Sequence, residues 1–313
     1  MANLLPPVIK WPGSKRRIAA KLASLFPEAD RYFEPFVGGG SLLPYRKAQS
    51  AVAGDVLNEL ISLWIAIRDR PQEVADGYRE RWNRRQKLGH TVFYEVRDRF
   101  NATRDPIDFL FLSRTCVNGL IRFNRNGDFN NSLHHTRPGI VPGTLEAIIN
   151  RWCRAIQDVE FKAADFRETL ATVKKEDFVF LDPPYEATRG RYRPRSFDVE
   201  SFYAELRRLN KVGAKWMLTY DGRAGDRTYK VRLPANLYAY RFRVRTGHSP
   251  FTRLMKSTLD SVVESVYLNY EPSRRFAAKQ NVGGGVNREF AGITARPLEL
   301  ETLLSCRPVA QLV

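Results

Sequence analysis

Four apolar residues of strand-forming type, Phe178-Val179-Phe180-Leu181, run straight into Asp182-Pro183-Pro184-Tyr185. Proline has no N–H to give a sheet ladder and restrains the residue before it, so the strand ends at the acid. Asp182 and Tyr185 therefore stand at the carboxyl edge of a buried strand, the edge at which ligands bind in an open parallel α/β sheet. An acid fixed there, with proline carbonyls freed from pairing and an aromatic ring close by, suits a planar ring that bears an amino group. The carboxylate and a proline carbonyl accept the two amino hydrogens while the tyrosine stacks on the ring.

A chain of 313 residues, 43% hydrophobic and 27% charged, is enough for one large core with an inserted lobe or for two modest domains. The formal charge is +17, carried mostly by arginine, whose planar fork suits phosphates and base edges. Such an excess predicts a polyanionic partner, nucleic acid above all, against the plainer reading of solubilising basicity. Cys116, Cys153 and Cys306 are odd in number and lack metal-ligand spacing, so free thiols in a cytoplasmic protein and no metal are expected. No apolar run approaches a membrane span, and the first residues lack a signal peptide's apolar core.

In chain order, a turn at Trp11-Pro12-Gly13-Ser14-Lys15 precedes helical spacing over 18–26, placing an aromatic plane and a cation beside a helix start. A buried tryptophan and a solvated lysine are the plainer reading. Residues 31–43 read as a strand, a glycine turn at Gly38-Gly39-Gly40 and a helix start. The turn matches neither the dinucleotide nor the P-loop pattern, so a pocket for a ligand without phosphates is favoured. Residues 51–55 form a second strand ending in Asp55, placed either to catch ribose hydroxyls or to cap the helix over 60–67.

From 70 to 159 the sequence turns helical and densely charged, then passes into an exposed segment at 118–130 with a turn at Asn126-Gly127. Arginine, asparagine and aromatic side chains on a projecting loop equip it to read base edges, against the alternative of a solvated polar loop. A further segment, 159–164, leads to Asp165-Phe166. After the Asp-Pro-Pro-Tyr strand come an arginine-rich loop (186–197), an amphipathic helix (201–209) and a strand (215–220). Residues 238–244 and 261–269 read as late strands able to pair antiparallel at the end of the sheet, and 272–313 as a tail or peripheral extension.

Lys10-Trp11-Pro12-Gly13-Ser14-Lys15, Phe33-Glu34-Pro35-Phe36-Val37-Gly38-Gly39-Gly40, Arg114-Thr115-Cys116-Val117-Asn118-Gly119-Leu120, Asp165-Phe166 and Asp182-Pro183-Pro184-Tyr185 stand in one order. In that order they resemble the Dam-type DNA adenine N6-methyltransferases, the D12 class or α group, over roughly residues 8–271. The resemblance implies the S-adenosylmethionine-dependent methyltransferase sheet, α/β and largely parallel with helices on both faces, carrying an inserted, mostly helical target-recognition lobe. The catalytic domain is then discontinuous, 1–69 and 160–271, around a lobe at 70–159.

It also implies S-adenosylmethionine contacts at Trp11, Lys15, Phe36, Gly38, Gly40, Asp55, Asp165, Phe166 and Asp182, and a target base held by Asp182, Pro183, Pro184 and Tyr185. For DNA it points to Arg114, Asn118, Leu120, Arg122, Asn124 and Arg137, to which the arginine-rich loop adds Arg189 and Arg191. Downstream of Phe129-Asn130 the chain departs from the family at Ser132-Leu133-His134-His135-Thr136-Arg137, so the resemblance fixes no recognition sequence. The expected activity is methyl transfer to N6 of a flipped-out adenine in double-stranded DNA, in a bacterial or phage-encoded protein with a cognate restriction endonuclease as a candidate partner. The alternatives are transfer to N4 of cytosine and a DNA-binding protein without catalysis.

Overall fold

The computed structural model describes residues 4–184, 197–224, 227–229, 233–248, 261–272 and 293–294. Five short apolar stretches supply the parallel part of one sheet: β1 (Arg31–Glu34), β2 (Ser50–Asp55), β3 (Val159–Ala163), β4 (Phe178–Leu181) and β5 (Lys215–Ala224). β6 (Arg227–Tyr229) folds back on β5, and β7 (Tyr240–His248), β8 (Ser261–Leu268) and β9 (Ile293–Thr294) complete the sheet. The order is β3-β2-β1-β4-β5-β8-β7-β9, with β8 antiparallel to both of its neighbours. The two late strands therefore pair antiparallel at the end of the sheet, as the sequence predicts. Strand order reverses between β1 and β4, and the crevice at their carboxyl ends is the ligand position of such sheets.

Side chains alternate across the sheet with period two. On one face Tyr32, Ala51, Ala53, Phe178, Phe180, Met217, Tyr240, Phe242, Val266 and Leu268 join the larger core, with the N-terminal segment, α1 (Ala19–Ala23) and α2 (Asn58–Asp69). On the other, Phe33, Val52, Val179, Leu181, Trp216, Leu218 and Tyr267 pack with α7 (Phe166–Leu170) and α8 (Val199–Val212). Helices cover both faces, giving the α/β architecture expected. No described helix is long and apolar enough to cross a membrane.

Between β2 and β3 lie α3 (Pro71–Leu88), α4 (Thr91–Thr103), α5 (Pro106–Thr115) and α6 (Pro142–Ala155), joined by an irregular segment at 117–141. The helical, charged character read at the start of this stretch holds on either side of Gly89, whose φ of 80° ends α3. α2 packs on α5 and α6, and the lobe's Phe93, Phe100, Phe109 and Trp152 belong to the same core as the sheet.

One expectation changes. The glycine turn opens no long helix: only a 3-10 turn at Leu43–Tyr45 follows, because Pro44 sits in it and the chain must enter β2 at Ser50. Within the presumed tail, Ile293–Thr294 pairs with β7.

Candidate active site

The period-two pattern that builds the larger core also sets its polar crown. Continuing the core-facing rows, Tyr32 is followed by Glu34, Ala53 by Asp55, Phe180 by Asp182 and Met217 by Thr219, all at the carboxyl edge. On antiparallel β8 the row Leu268, Val266 continues to Glu264, beyond a bulge in β5 between Thr219 and Gly222. These acids thus share one face and one edge.

Lys15 lies over them. Its turn is capped by Ser14, whose side chain accepts from the Arg16 N–H and meets Ser41 Oγ at 2.7 Å. The lysine is only 3% exposed. Its Nζ donates to the Gly13 carbonyl at 3.1 Å and lies 2.8 Å from Asp182 Oδ1 and 3.7 Å from Glu264 Oε1. The solvated-lysine reading therefore fails. Thr219 Oγ1 also donates to Asp182 Oδ1, at 2.8 Å. Beneath them Tyr32 donates its hydroxyl to Glu34 Oε2 at 3.0 Å, and burial holds the Glu34 carboxyl well above the usual carboxylate range.

The glycine turn leans on the larger core. Gly38 has a φ of 46° with the Trp11 ring against its α-carbon, and its carbonyl accepts from Trp64 Nε1 at 3.0 Å. Asp55 joins the turn to the next helix, accepting from Gly38 N at 3.2 Å and from Leu57 N at 3.0 Å. Its carboxyl is pushed up to about 6 by burial, against the pull of those N–H groups. Beside it Val56 stands 64% exposed, an apolar body that sequence reading passed over. Phe36 and Phe166 meet at 5.7 Å between ring centroids, in a cluster with Phe197 and Phe202. Asp165 caps α7 through the Arg167 N–H and pairs with Arg167 Nε at 2.7 Å.

The structure brings together Trp11, Lys15, Gly38, Gly40, Asp55 and Asp182. Pro183 is buried and Pro184 exposed, while Tyr185, Arg189 and Arg191 lie outside the described residues. Glu34, Thr219 and Glu264 were missed, although each is a polar residue that continues the core-facing row of an alternating strand.

In the lobe, Arg122 is exposed and braced by Asn130, donating from Nε to Oδ1 at 2.8 Å and from Nη2 to the carbonyl at 3.2 Å. Asn118 and Arg137 are exposed, and Leu120 is half-buried. Asn124 is occupied in building the Asn126-Gly127 turn, its Oδ1 accepting from Asn126 N and Asp128 N, each at 2.9 Å. Arg114 differs from expectation most: it is 7% exposed and donates to the Pro7 and Val8 carbonyls, tying α5 to the N-terminal segment. Lys10 packs on Gly119, so the N-terminal turn and the Asn118-Gly119-Leu120 loop are neighbours.

The family of D12 class N6 adenine-specific DNA methyltransferases matches residues 11–239. The chain is 28% identical over 243 residues to the type II methyltransferase M.MjaIII of Methanocaldococcus jannaschii, covering 68% of this chain and 83% of that protein. Against the DNA adenine methylase of Salmonella typhi it is 27% identical over 198 residues, 62% of this chain and 70% of that one. The DNA N-6-adenine-methyltransferase of Escherichia phage P1 is 28% identical over 238 residues, 69% of this chain and 30% of that longer protein. With the family match spanning the glycine turn, the lobe and the strand that ends at Asp182, this chain belongs to the D12 class of N6 adenine-specific DNA methyltransferases.

Proposed function

We propose that this enzyme methylates N6 of an adenine swung out of duplex DNA, with Asp182 as the acceptor that orients the reacting amino group. The observation that carries the reading is the bonding of Asp182. Oδ1 takes Lys15 and Thr219, while no described residue bonds Oδ2, which is thereby left to accept an amino hydrogen. The Pro183 carbonyl is the second acceptor and Tyr185 the stacking partner. An adenine amino nitrogen is a poor nucleophile because its lone pair is delocalised into the ring. Accepting both hydrogens favours a pyramidal nitrogen and releases that pair for in-line displacement, so catalysis is largely orientation plus electrostatics. The proton shed by the methylated nitrogen passes to water.

Family membership implies S-adenosylmethionine, which supplies an electrophilic methyl on a cationic sulfur. The residues present fit it: the Trp11 face, exposed Val56 and Phe36 offer apolar surface for its rings and chain, and Asp55 and Asp182 offer anions toward its positive charge. Asp55 would meet the ribose, with Asp165 and Phe166 at the adenine. The lobe at 70–159 reads the target, and exposed Asn118, Arg122 and Arg137 are its candidate contacts. The type II designation of M.MjaIII favours a cognate endonuclease, which protection of methylated DNA against a co-encoded nuclease tests.

The test is incubation with unmethylated genomic DNA and S-adenosylmethionine, followed by single-molecule mapping of modified bases. N6-methyladenine in one short motif is expected, and N4-methylcytosine would overturn the base assignment. Asp182→Ala is expected to abolish transfer while leaving DNA binding largely intact. Equal loss of both would argue against a specifically catalytic role.

A further inference from the structure

Glu264 is the one member of the acidic crown whose burial is not rewarded by its contacts. Its Oε1 lies 3.7 Å from Lys15, and its Oε2 is buried without any hydrogen-bond partner. A half-satisfied carboxylate in such a place costs stability, and an apolar residue or a glutamine would be easier to bury. Its register partners on the flanking strands, Gly222 and Val244, carry no charge. The charged groups that face it are Lys15 and Asp182. Groups of this kind, retained at a cost beside a reacting centre, are candidates for function.

We propose that Glu264 is a positioning residue that acts through Lys15, holding part of that ammonium's charge so that Asp182 keeps its strength as an acceptor. The reasoning is a matter of net charge and rests on the role assigned above to Asp182. An ammonium 2.8 Å from Asp182 Oδ1 places and orders that carboxylate, yet by itself it neutralises the anion that must meet an amino group becoming positive and a cationic methyl donor. With Glu264 ionised, Lys15, Asp182 and Glu264 together carry one net negative charge; with Glu264 neutral they carry none. Thr219 fixes Asp182 from the other side through the same oxygen, so the geometry survives loss of the Glu264 charge while the electrostatics do not. Burial raises the Glu264 carboxyl above its ordinary value, which Lys15 opposes and Asp182 reinforces. Activity should therefore fall on the acid side as Glu264 takes up a proton, at a pH above that at which an ordinary glutamate does so.

The experiment compares wild type, Glu264→Gln, Lys15→Gln, the double variant and Asp182→Ala. Each is assayed with unmethylated genomic DNA and S-adenosylmethionine across the pH range, alongside direct binding of each ligand. Glu264→Gln should lower kcat about tenfold or more with both KM values little changed, and should remove the acid limb of the wild-type kcat profile at saturating methyl donor. The double variant should recover activity relative to Glu264→Gln alone, because no ammonium is left to neutralise Asp182. Wild-type kcat with an unaltered acid limb in Glu264→Gln overturns the inference, as does a loss confined to KM or a double variant no better than Glu264→Gln. Should Glu264→Gln fail to fold, Glu264→Asp keeps the charge but withdraws it from Lys15. It should lower kcat with the acid limb present, and unchanged kcat overturns the proposal. An Asp182→Ala variant that still methylates would sink the acceptor role itself, whereas an inactive Asp182→Ala beside an unaffected Glu264→Gln sinks only the role of Glu264.

Discussion

A methyl group on the α-carbon of Gly38 would lie 2.4 Å from Trp11 Nε1, in a backbone conformation of φ 46° that side chains rarely adopt. Both effects act against Gly38→Ala, which is expected to cost about 1–3 kcal/mol in urea unfolding and to weaken methyl-donor binding as Trp11 is displaced. Unchanged affinity would remove the turn from the cofactor site. Asp55, which ties this turn to α2, makes a second prediction. Its carboxyl titrates at about 6 rather than at the usual value, so below that pH it is protonated and loses acceptor strength toward Gly38 and Leu57. Methyl-donor affinity measured by calorimetry should therefore weaken as pH falls through 6. Stability runs the other way. The folded state binds a proton that the unfolded chain has released, so between about 4 and 6 the contribution of Asp55 to stability falls as pH rises. Asp55→Asn should abolish both dependences.

Among the elements, the lobe depends on one buried acid. Asp108, at the start of α5, is 0% exposed and receives Arg81 Nε of α3 at 2.5 Å and Arg99 Nε of α4 at 2.7 Å. Asp105, three residues before it at the N-cap, accepts from the N–H groups of Ile107 and Asp108 and begins the helix. Asp108→Ala takes the carboxylate from Arg99 and from Nε of Arg81, leaving Arg81 only Asp105 and the Gly77 carbonyl. It should destabilise by about 3 kcal/mol, near the low end for a broken buried pair because Arg99 is partly exposed. Hydrogen exchange should show the loss first in α3 and α4, and uniform loss across the sheet would contradict a local clasp.

Elements of this kind were legible where the pattern was local. The alternation in 215–220 and 261–269 marks strands, and the two prolines after Asp182 mark a strand end. The helix expected after the glycine turn fails because its local signal ignores where Ser50 must go to pair with Arg31. The plainer reading of Lys15 as solvated fails because its partners, Asp182 and Glu264, are distant in sequence and reach it only through sheet order. For the same reason Arg114 resembled a DNA contact until the carbonyls of Pro7 and Val8 were seen to occupy it.

For the whole molecule the governing quantity is its charge of +17. DNA affinity should fall steeply with salt: if some 6–10 phosphates are neutralised, raising salt from about 50 to 200 mM should cost roughly 10³–10⁵ in affinity, measurable by fluorescence anisotropy. Within that field Arg122 makes a different kind of contact from a generic cation. Asn130 engages its Nε and Nη2, while no described group bonds its Nη1, so the guanidinium is held in a fixed plane on an exposed loop. A braced plane suits a base edge, where geometry carries the information, better than a phosphate, where charge alone suffices. Arg122→Ala should therefore alter or relax the methylated motif while leaving the salt slope nearly unchanged. A phosphate contact would do the reverse, weakening binding to all sequences alike and lowering the slope by about one. Mapping the modified sites of the variant and titrating its binding with salt separates the two, because each outcome moves one measurement and leaves the other in place.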